Sequence, residues 1–333
     1  MQTVSINVMN LCVPCENRCR YCLLSYDGKV SCVDYDRSAQ YAKRFYEWLR
    51  ENRPERSFLF GFGYSMEHPQ LLDAIRFCQS IGSPTGEFLQ FDGMKFRSPD
   101  QLRQLLSDLK AVGVKHINMT FYGTESYHDR FAGRKGDFQL MIQALTIGHA
   151  LGLETSVGIP LTQENAAQAD ALLQQLQQYT SGRIYFFIPH CEGRGQSLEN
   201  VRFTTADYAR LSDAVKARFN TERFRPEMEW VASAPHPLPQ RRVLTLTLTQ
   251  DNISQFEQMP FDEVIRYLEG LDDAYYTAIP DFNQMIHRYG DPVGEKYYSQ
   301  RDLYLSYQQR YITEHQLCLY DVNDERHCFS RRI

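Results

Sequence analysis

The sequence predicts an α/β protein, a partial (β/α)6 TIM-like barrel with a small α+β C-terminal extension. Three observations predict it. Strand-like and helix-like apolar periodicity alternate about six times, the connections between them are short, and past about residue 223 the pattern changes. An open doubly wound sheet accounts for the same alternation, and both architectures put their chemistry in the loops at the carboxyl ends of the strands.

The elements follow in order. Strands are expected at 3–9, 57–62, 87–91, 115–121, 154–159 and 183–188, and helices at 36–51, 69–81, 99–112, 136–151, 163–179 and 204–219. Ser98-Pro99-Asp100 opens one helix, and Gly82, Gly113 and Gly152 close three others. Residues 1–222 are therefore assigned to the barrel and 223–333 to the extension. In the latter, 226–231 and 243–249 read as strands, the second by strict alternation, and the rest turns helical. About half of the 21 tyrosines lie in the last fifth of the chain, which predicts an ordered tail packed on the barrel.

With 43% hydrophobic and 23% charged residues, the 333-residue chain has the composition of a globular protein. A net charge of −5 offers no diffuse basic field for nucleic acid. No stretch approaches the roughly 18 apolar residues of a membrane span, and the first ten residues lack a secretory signal pattern. The expectation is a cytoplasmic protein with no nucleic-acid or membrane partner. Nine cysteines in such a chain are not a disulfide framework.

Four of the nine, Cys12, Cys15, Cys19 and Cys22, crowd the loop after the first strand, and the other five are scattered. Cys15, Cys19 and Cys22 are separated by three and two residues, so one tight loop can aim three soft thiolates at one small volume. Zinc and an iron–sulfur cluster are both candidates. A structural zinc site usually splits its ligands into two separated knuckles. A four-iron cluster with three cysteine ligands leaves one iron open to a ligand, unless Cys12 closes it and makes a plain electron-transfer centre.

This spacing, Cys-x3-Cys-x2-Cys with Tyr21 just before the last cysteine, resembles the signature of the radical SAM superfamily. The resemblance covers residues 4–219 and is closest to the peptide-modifying subgroup with a SPASM or twitch-like C-terminal domain. It implies a 4Fe-4S cluster on Cys15, Cys19 and Cys22. The open iron would chelate S-adenosylmethionine, and reductive cleavage would release a 5′-deoxyadenosyl radical that takes a hydrogen atom from substrate.

The resemblance also implies a cofactor-binding set, with departures. The segment 60–69 is similar to the Gly-Gly-Glu-Pro loop, with Gly61 and Gly63 retained nearby but Tyr64 where the glutamate is expected, so that the amino group falls to Tyr64, backbone carbonyls or Glu67. Asp92-Gly93 looks like the family's Asn-Gly turn. Thr120 and Tyr122 stand where Ser and Asp are usual, Ala132 replaces an arginine, and a carboxylate contact passes to Arg130 or Arg134. Asn165, with Thr162, suits the ribose, and Arg194 lies in a segment similar to Pro-x-Gly-Arg. Cys191 is the candidate hydrogen-atom donor, against a structural reading. Residues 243–265 are similar to the start of the accessory domain, but that domain's cluster cysteines are missing.

The expected function is hydrogen abstraction from a peptide or peptide-like substrate, with a flavodoxin or ferredoxin as reductant. A free sugar, nucleoside or amino acid is the alternative substrate. A non-enzymatic iron–sulfur sensor or interaction protein is the reading from another class.

Overall fold

The computed structural model describes residues 5–10, 15–22, 33–61, 66–83, 86–191, 193–233 and 243–319. Strand β1 (Ser5–Asn10) is buried along most of its length and leads into the cysteine loop. Helix α1 (Tyr35–Asn52) begins where the Asp34 carboxylate accepts from the Arg37 N–H, and it buries Tyr41, Phe45 and Leu49 at helical spacing. β2 (Phe58–Gly61), α2 (Leu71–Ser80), β3 (Phe88–Gln90), α3 (Pro99–Ala111) and β4 (His116–Thr120) continue the alternation. Ser98 and Gln101 form a capping box, and Pro99 opens α3.

A short helix, α4 (Glu125–Ala132), then precedes α5 (Asp137–Ala150), β5 (Glu154–Pro160), α6 (Ala169–Leu176) and β6 (Arg183–Phe187). The expected helix at 204–219 is broken into α7 (Thr205–Arg210) and α8 (Asp213–Lys216), because the backbone turns extended at Leu211 and the Ser212 hydroxyl caps the next helix by accepting from the Val215 N–H. All six expected strands are present. They lie in two parallel sheets, β3-β4-β5-β6 and a second in which β2 pairs with β1. The molecule is mixed α/β with parallel sheets, the partial TIM-like barrel that the alternation predicts.

The extension differs from expectation in two places. Residues 226–231 are not a strand: β7 (Phe224–Pro226) is short, and α9 (Glu227–Ser233) follows at once. Pro226 just before the helix, with Glu227 and Glu229 in its first turn, is a helix-start signal that outweighs the apolar pattern. Nor does β8 (Val243–Leu248) belong to the extension's own fold. It pairs in parallel with β1 along its whole length, from Ser5 opposite Val243 to Asn10 opposite Leu248, and gives the sheet order β2-β1-β8. α10 (Ile253–Gln258) and α11 (Phe261–Ala278) follow, and Leu244, Leu246, Leu248, Ile253 and Val264 belong to the barrel core.

The last elements are α12 (Phe282–Tyr289), β9 (Tyr297–Ser299), antiparallel to β7, and α13 (Gln300–Glu314). A second core of Trp230, Tyr275, Phe282, Met285, Leu303 and Tyr307 holds them together. Their tyrosines are anchored at the hydroxyl: Tyr298 to Glu199, Tyr289 to Glu314 and Tyr275 to Gln308. No helix among the described residues is long and apolar enough to cross a membrane.

Candidate active site

The cysteine loop is built by its backbone. The Glu16 N–H donates to Gly93 O at 2.9 Å, Arg18 N–H to Ala132 O at 2.7 Å and Arg20 N–H to Phe131 O at 3.1 Å, which ties residues 16–20 to the turns after β3 and α4. On its far side the Arg194 N–H donates to Cys22 O at 3.0 Å. The Arg18 guanidinium closes the loop on itself by donating to Cys15 O, and Arg20 pairs with Glu164 in the loop after β5. The loop therefore spans the rim from the third strand to the sixth.

Cys15, Cys19 and Cys22 are all partly buried free thiols. Cys15 rests on Gly93, whose φ is +68° and whose missing Cβ would stand 2.3 Å from Cys15 Sγ. Only glycine fits there. Cys19 Sγ is 3.1 Å from the Tyr122 hydroxyl. Burial pushes the Cys15 thiol up to about 11 and raises Cys19 further, and each is raised again by the other cysteines. Three thiolates crowded in one partly buried loop are stabilised by a positively charged centre, and sulfur ligands select soft metal. A cubane cluster spreads three cysteines over three irons, so the donor set fits a cluster.

Beneath the loop lies an aromatic floor. Tyr122, Tyr127 and Phe131 form a small buried group against which Cys19 and Tyr21 pack. Tyr21 meets Tyr122 edge-on at 5.5 Å and Phe131 at 5.8 Å, and burial raises its phenol, with the Tyr122 and Thr120 hydroxyls as partners. Thr120 also donates its N–H and hydroxyl to Asp92, at 2.9 Å each. Asp92 further accepts from Gln90, and burial pushes its carboxyl up to about 6.

From here a polar ladder descends the barrel interior. Asn118 donates to Gln90 at 2.7 Å, Ser156 donates to Asn118 at 2.6 Å, and His116 meets Ser156 at 2.7 Å. Sequence reasoning missed this ladder. The signal was present in His116-Ile117-Asn118-Met119-Thr120, since a parallel strand buried on both faces needs no alternation unless one face meets something polar.

Several of the expected site residues have partners within the protein, Glu67 among them. It takes Arg97 in a two-pronged pair at 2.5 and 3.0 Å and the Lys95 N–H at 2.8 Å, which pins the segment after β3. Arg134 is committed to Met94 O, Asn17 and Asp137, with its guanidinium 3.8 Å over the Phe96 ring. Arg130 is exposed and stacks on Tyr127. Asn165 has its amide donating to Tyr122 O and Pro160 O and its oxygen accepting twice from Thr162, so it clamps the fourth and fifth strand ends.

Cys191 is buried and donates to Asp302 O at 3.0 Å, while His190 bonds the Asp302 carboxylate at 2.7 Å; its thiol hydrogen is engaged by the extension. Gly61 lies at the end of β2 opposite Met9. Arg194 keeps its place on the rim by its backbone bond to Cys22. Gly63, Tyr64, Cys12, Cys32 and Cys328 lie outside the described residues.

Residues 9–176, just over half of the chain, match the model of the Radical SAM superfamily. The chain belongs to the radical SAM superfamily. Its cofactors are those of the superfamily, a 4Fe-4S cluster and S-adenosylmethionine. Over 116 residues the chain is 22% identical to the Fe-coproporphyrin III synthase of Methanosarcina barkeri, a match covering 35% of this chain and 29% of that enzyme. Among solved structures it is similar to SuiB of Streptococcus suis bound to the precursor peptide SuiA, with 13% identity, TM-score 0.47 and coverage of 66% of this chain and 49% of that one. It is also similar to the coproporphyrinogen III oxidase HemN of Escherichia coli, described as a radical SAM enzyme, with 12% identity, TM-score 0.43 and coverage of 93% and 91%. The chain thus spans under a third of the curated relative and about half of SuiB.

Proposed function

We propose that this chain is a single-cluster radical SAM enzyme that takes a hydrogen atom from a peptide or peptide-like substrate. Cys15, Cys19 and Cys22 hold the cluster, and within the extension β8 completes the barrel sheet while α12, β9 and α13 form a metal-free cap. The observation that carries the reaction class is the seating of Cys15 on Gly93 within a loop that presents all three thiols at the barrel rim. Cluster and S-adenosylmethionine together supply a hydrogen-abstracting radical when reduced. The protein's part is to exclude water and orient: Tyr21, Tyr122 and Phe131 make a dry floor under the loop, and the Gln90–Asn118–Ser156 ladder offers hydrogen bonds inside the barrel. The peptide reading rests on the likeness of residues 117–138 to the peptide-modifying subgroup. The reductant is a flavodoxin or ferredoxin, and the compartment is the cytoplasm.

One observation favours a free small molecule instead. Asp302, at the start of α13, binds His190 and receives the Cys191 thiol, so the cap closes against the sixth-strand loop. Anaerobic reconstitution should load about four irons per chain and yield 5′-deoxyadenosine on reduction. Alanine at Cys15, Cys19 or Cys22 should abolish both. Iron near eight per chain, or cofactor cleavage surviving Cys19→Ala, refutes the assignment. Transfer of deuterium into 5′-deoxyadenosine from labelled peptides, but not from labelled amino acids or sugars, separates the two substrate readings.

A further inference from the structure

Among the described residues, no cation pairs with Asp92. It sits one residue before Gly93, on which the Cys15 sulfur rests. Its carboxylate accepts from the Thr120 N–H, the Thr120 hydroxyl and the Gln90 amide, all uncharged donors. Two oxygens offer about four acceptor sites, so one on Oδ1 is still open. The ion pairs nearby, His128–Asp137 and Arg134–Asp137, serve Asp137 instead, which itself repels the Asp92 charge.

Protein surrounds Asp92 and raises its carboxyl, yet the residue retains some accessible surface where it meets Gln90 and Thr120. Its hydrogen bonds to Thr120 and its place next to Gly93, which carries Cys15, put it beside the cysteine loop, and its charge helps to raise the Cys15, Cys19, Tyr21 and Tyr122 groups. A buried carboxylate hydrogen-bonded only by neutral groups gains most from a cation brought in by a ligand, because attraction across a dry interior is far stronger than in water.

We propose that Asp92 is the counter-charge for the sulfonium of S-adenosylmethionine, so that the third-strand turn reads the cofactor's positive charge. The proposal rests on the radical SAM reading of the site. Thr120 and Gln90 are positioning residues that hold the carboxylate without neutralising it, and this is the role their geometry supports.

The test uses the reconstituted holoenzyme and two probes that share amino and carboxylate groups and differ in the sulfonium: S-adenosylmethionine and S-adenosylhomocysteine. Affinities are read from the change each causes in the spectrum of the oxidised cluster, which has no electron to cleave the sulfonium, and not from turnover. The expected result is that Asp92→Asn lowers the preference for the sulfonium probe by about tenfold or more, with four irons retained and homocysteine-probe affinity within about threefold. Equal weakening of both probes, or an unchanged preference, overturns the proposal. Thr120→Val keeps the carboxylate and removes one neutral donor, so it should hold the preference at or above that of the unaltered chain. Should Asp92→Asn not load the cluster, a loss of preference in Thr120→Val overturns the proposal. An unaltered chain with four irons whose spectrum ignores both probes refutes the underlying reading as well, whereas one that responds and keeps its preference in Asp92→Asn refutes only the role of Asp92.

Discussion

At the scale of single residues, the site depends on the absence of an atom. Gly93 has a left-handed backbone, and a methyl there would enter the volume of Cys15 Sγ at 2.3 Å. In Gly93→Ala the left-handed strain costs about 1 kcal/mol, which the fold tolerates, but the displaced sulfur should leave the loop unable to load iron. Iron per chain should fall well below that of the unaltered protein while the circular dichroism spectrum is kept; full iron content in this variant would show that Cys15 is not seated as described. Glu67 gives the opposite kind of prediction. Its side chain is 6% exposed and that of Arg97 is 20% exposed, so Glu67→Gln breaks a largely buried pair and should cost about 2–4 kcal/mol, toward the lower end because water reaches Arg97. Denaturant unfolding reads this loss, and affinity for S-adenosylmethionine should stay within about threefold.

At the scale of elements, β8 decides how the two parts of the chain hold together. Paired with β1 over six residues and buried at Leu244, Leu246 and Leu248, it completes the sheet under the cysteine loop although it comes after the barrel in sequence. Leu246→Ala should therefore cost about 2–5 kcal/mol and shift the unfolding of the barrel itself, observed as one transition by near-ultraviolet circular dichroism and by chromophore loss of the loaded cluster. A separate early transition that leaves the cluster intact would show that β8 is dispensable. The sequence made β8 legible as a strand, because Val243 to Thr249 alternates strictly, but not its partner. Pairing with β1 joins residues more than 230 apart, and no local pattern encodes that. The six barrel strands were legible because each is a short apolar run bounded by helical periodicity. The helix at 227–233 was misread because Met228, Trp230 and Val231 look apolar in either period, and only Pro226 and the two glutamates distinguish them. In the site, the cysteine spacing was readable from residue types, and the Asp92-Gly93 turn only through its likeness to the superfamily. The capture of Glu67 by Arg97 and of Cys191 by Asp302 was not, since both pairs form only after folding.

At the scale of the whole molecule, two buried groups oppose each other in their response to acid. His68 lies 5% exposed, its Nδ1 accepts the Gln70 N–H, and burial lowers it from 6.5 to about 4. A histidine held neutral in the fold gives its full stability above 6.5 and loses it as the pH falls toward 4, because the unfolded chain binds a proton that the native chain refuses. Asp92 is raised from 3.8 to about 6, so its contribution is greatest below 3.8 and is lost as the pH rises through 6. Between about pH 6.5 and 4.5 the two slopes run in opposite directions and partly cancel. Below that window the carboxylates held down by their partners, among them Glu164 by Arg20, begin to protonate and both effects are overtaken. Chemical denaturation of the chain before cluster loading should thus show a shallow dependence from pH 6.5 to 4.5. Asp92→Asn removes one slope and exposes the other, so its stability should fall by about 2–3 kcal/mol across the same window. His68→Gln should do the reverse and grow more stable as the pH falls. An Asp92→Asn profile as flat as that of the unaltered chain would mean that His68 gains its proton in the folded state at its ordinary value, and that its burial is not the barrier the packing around it indicates.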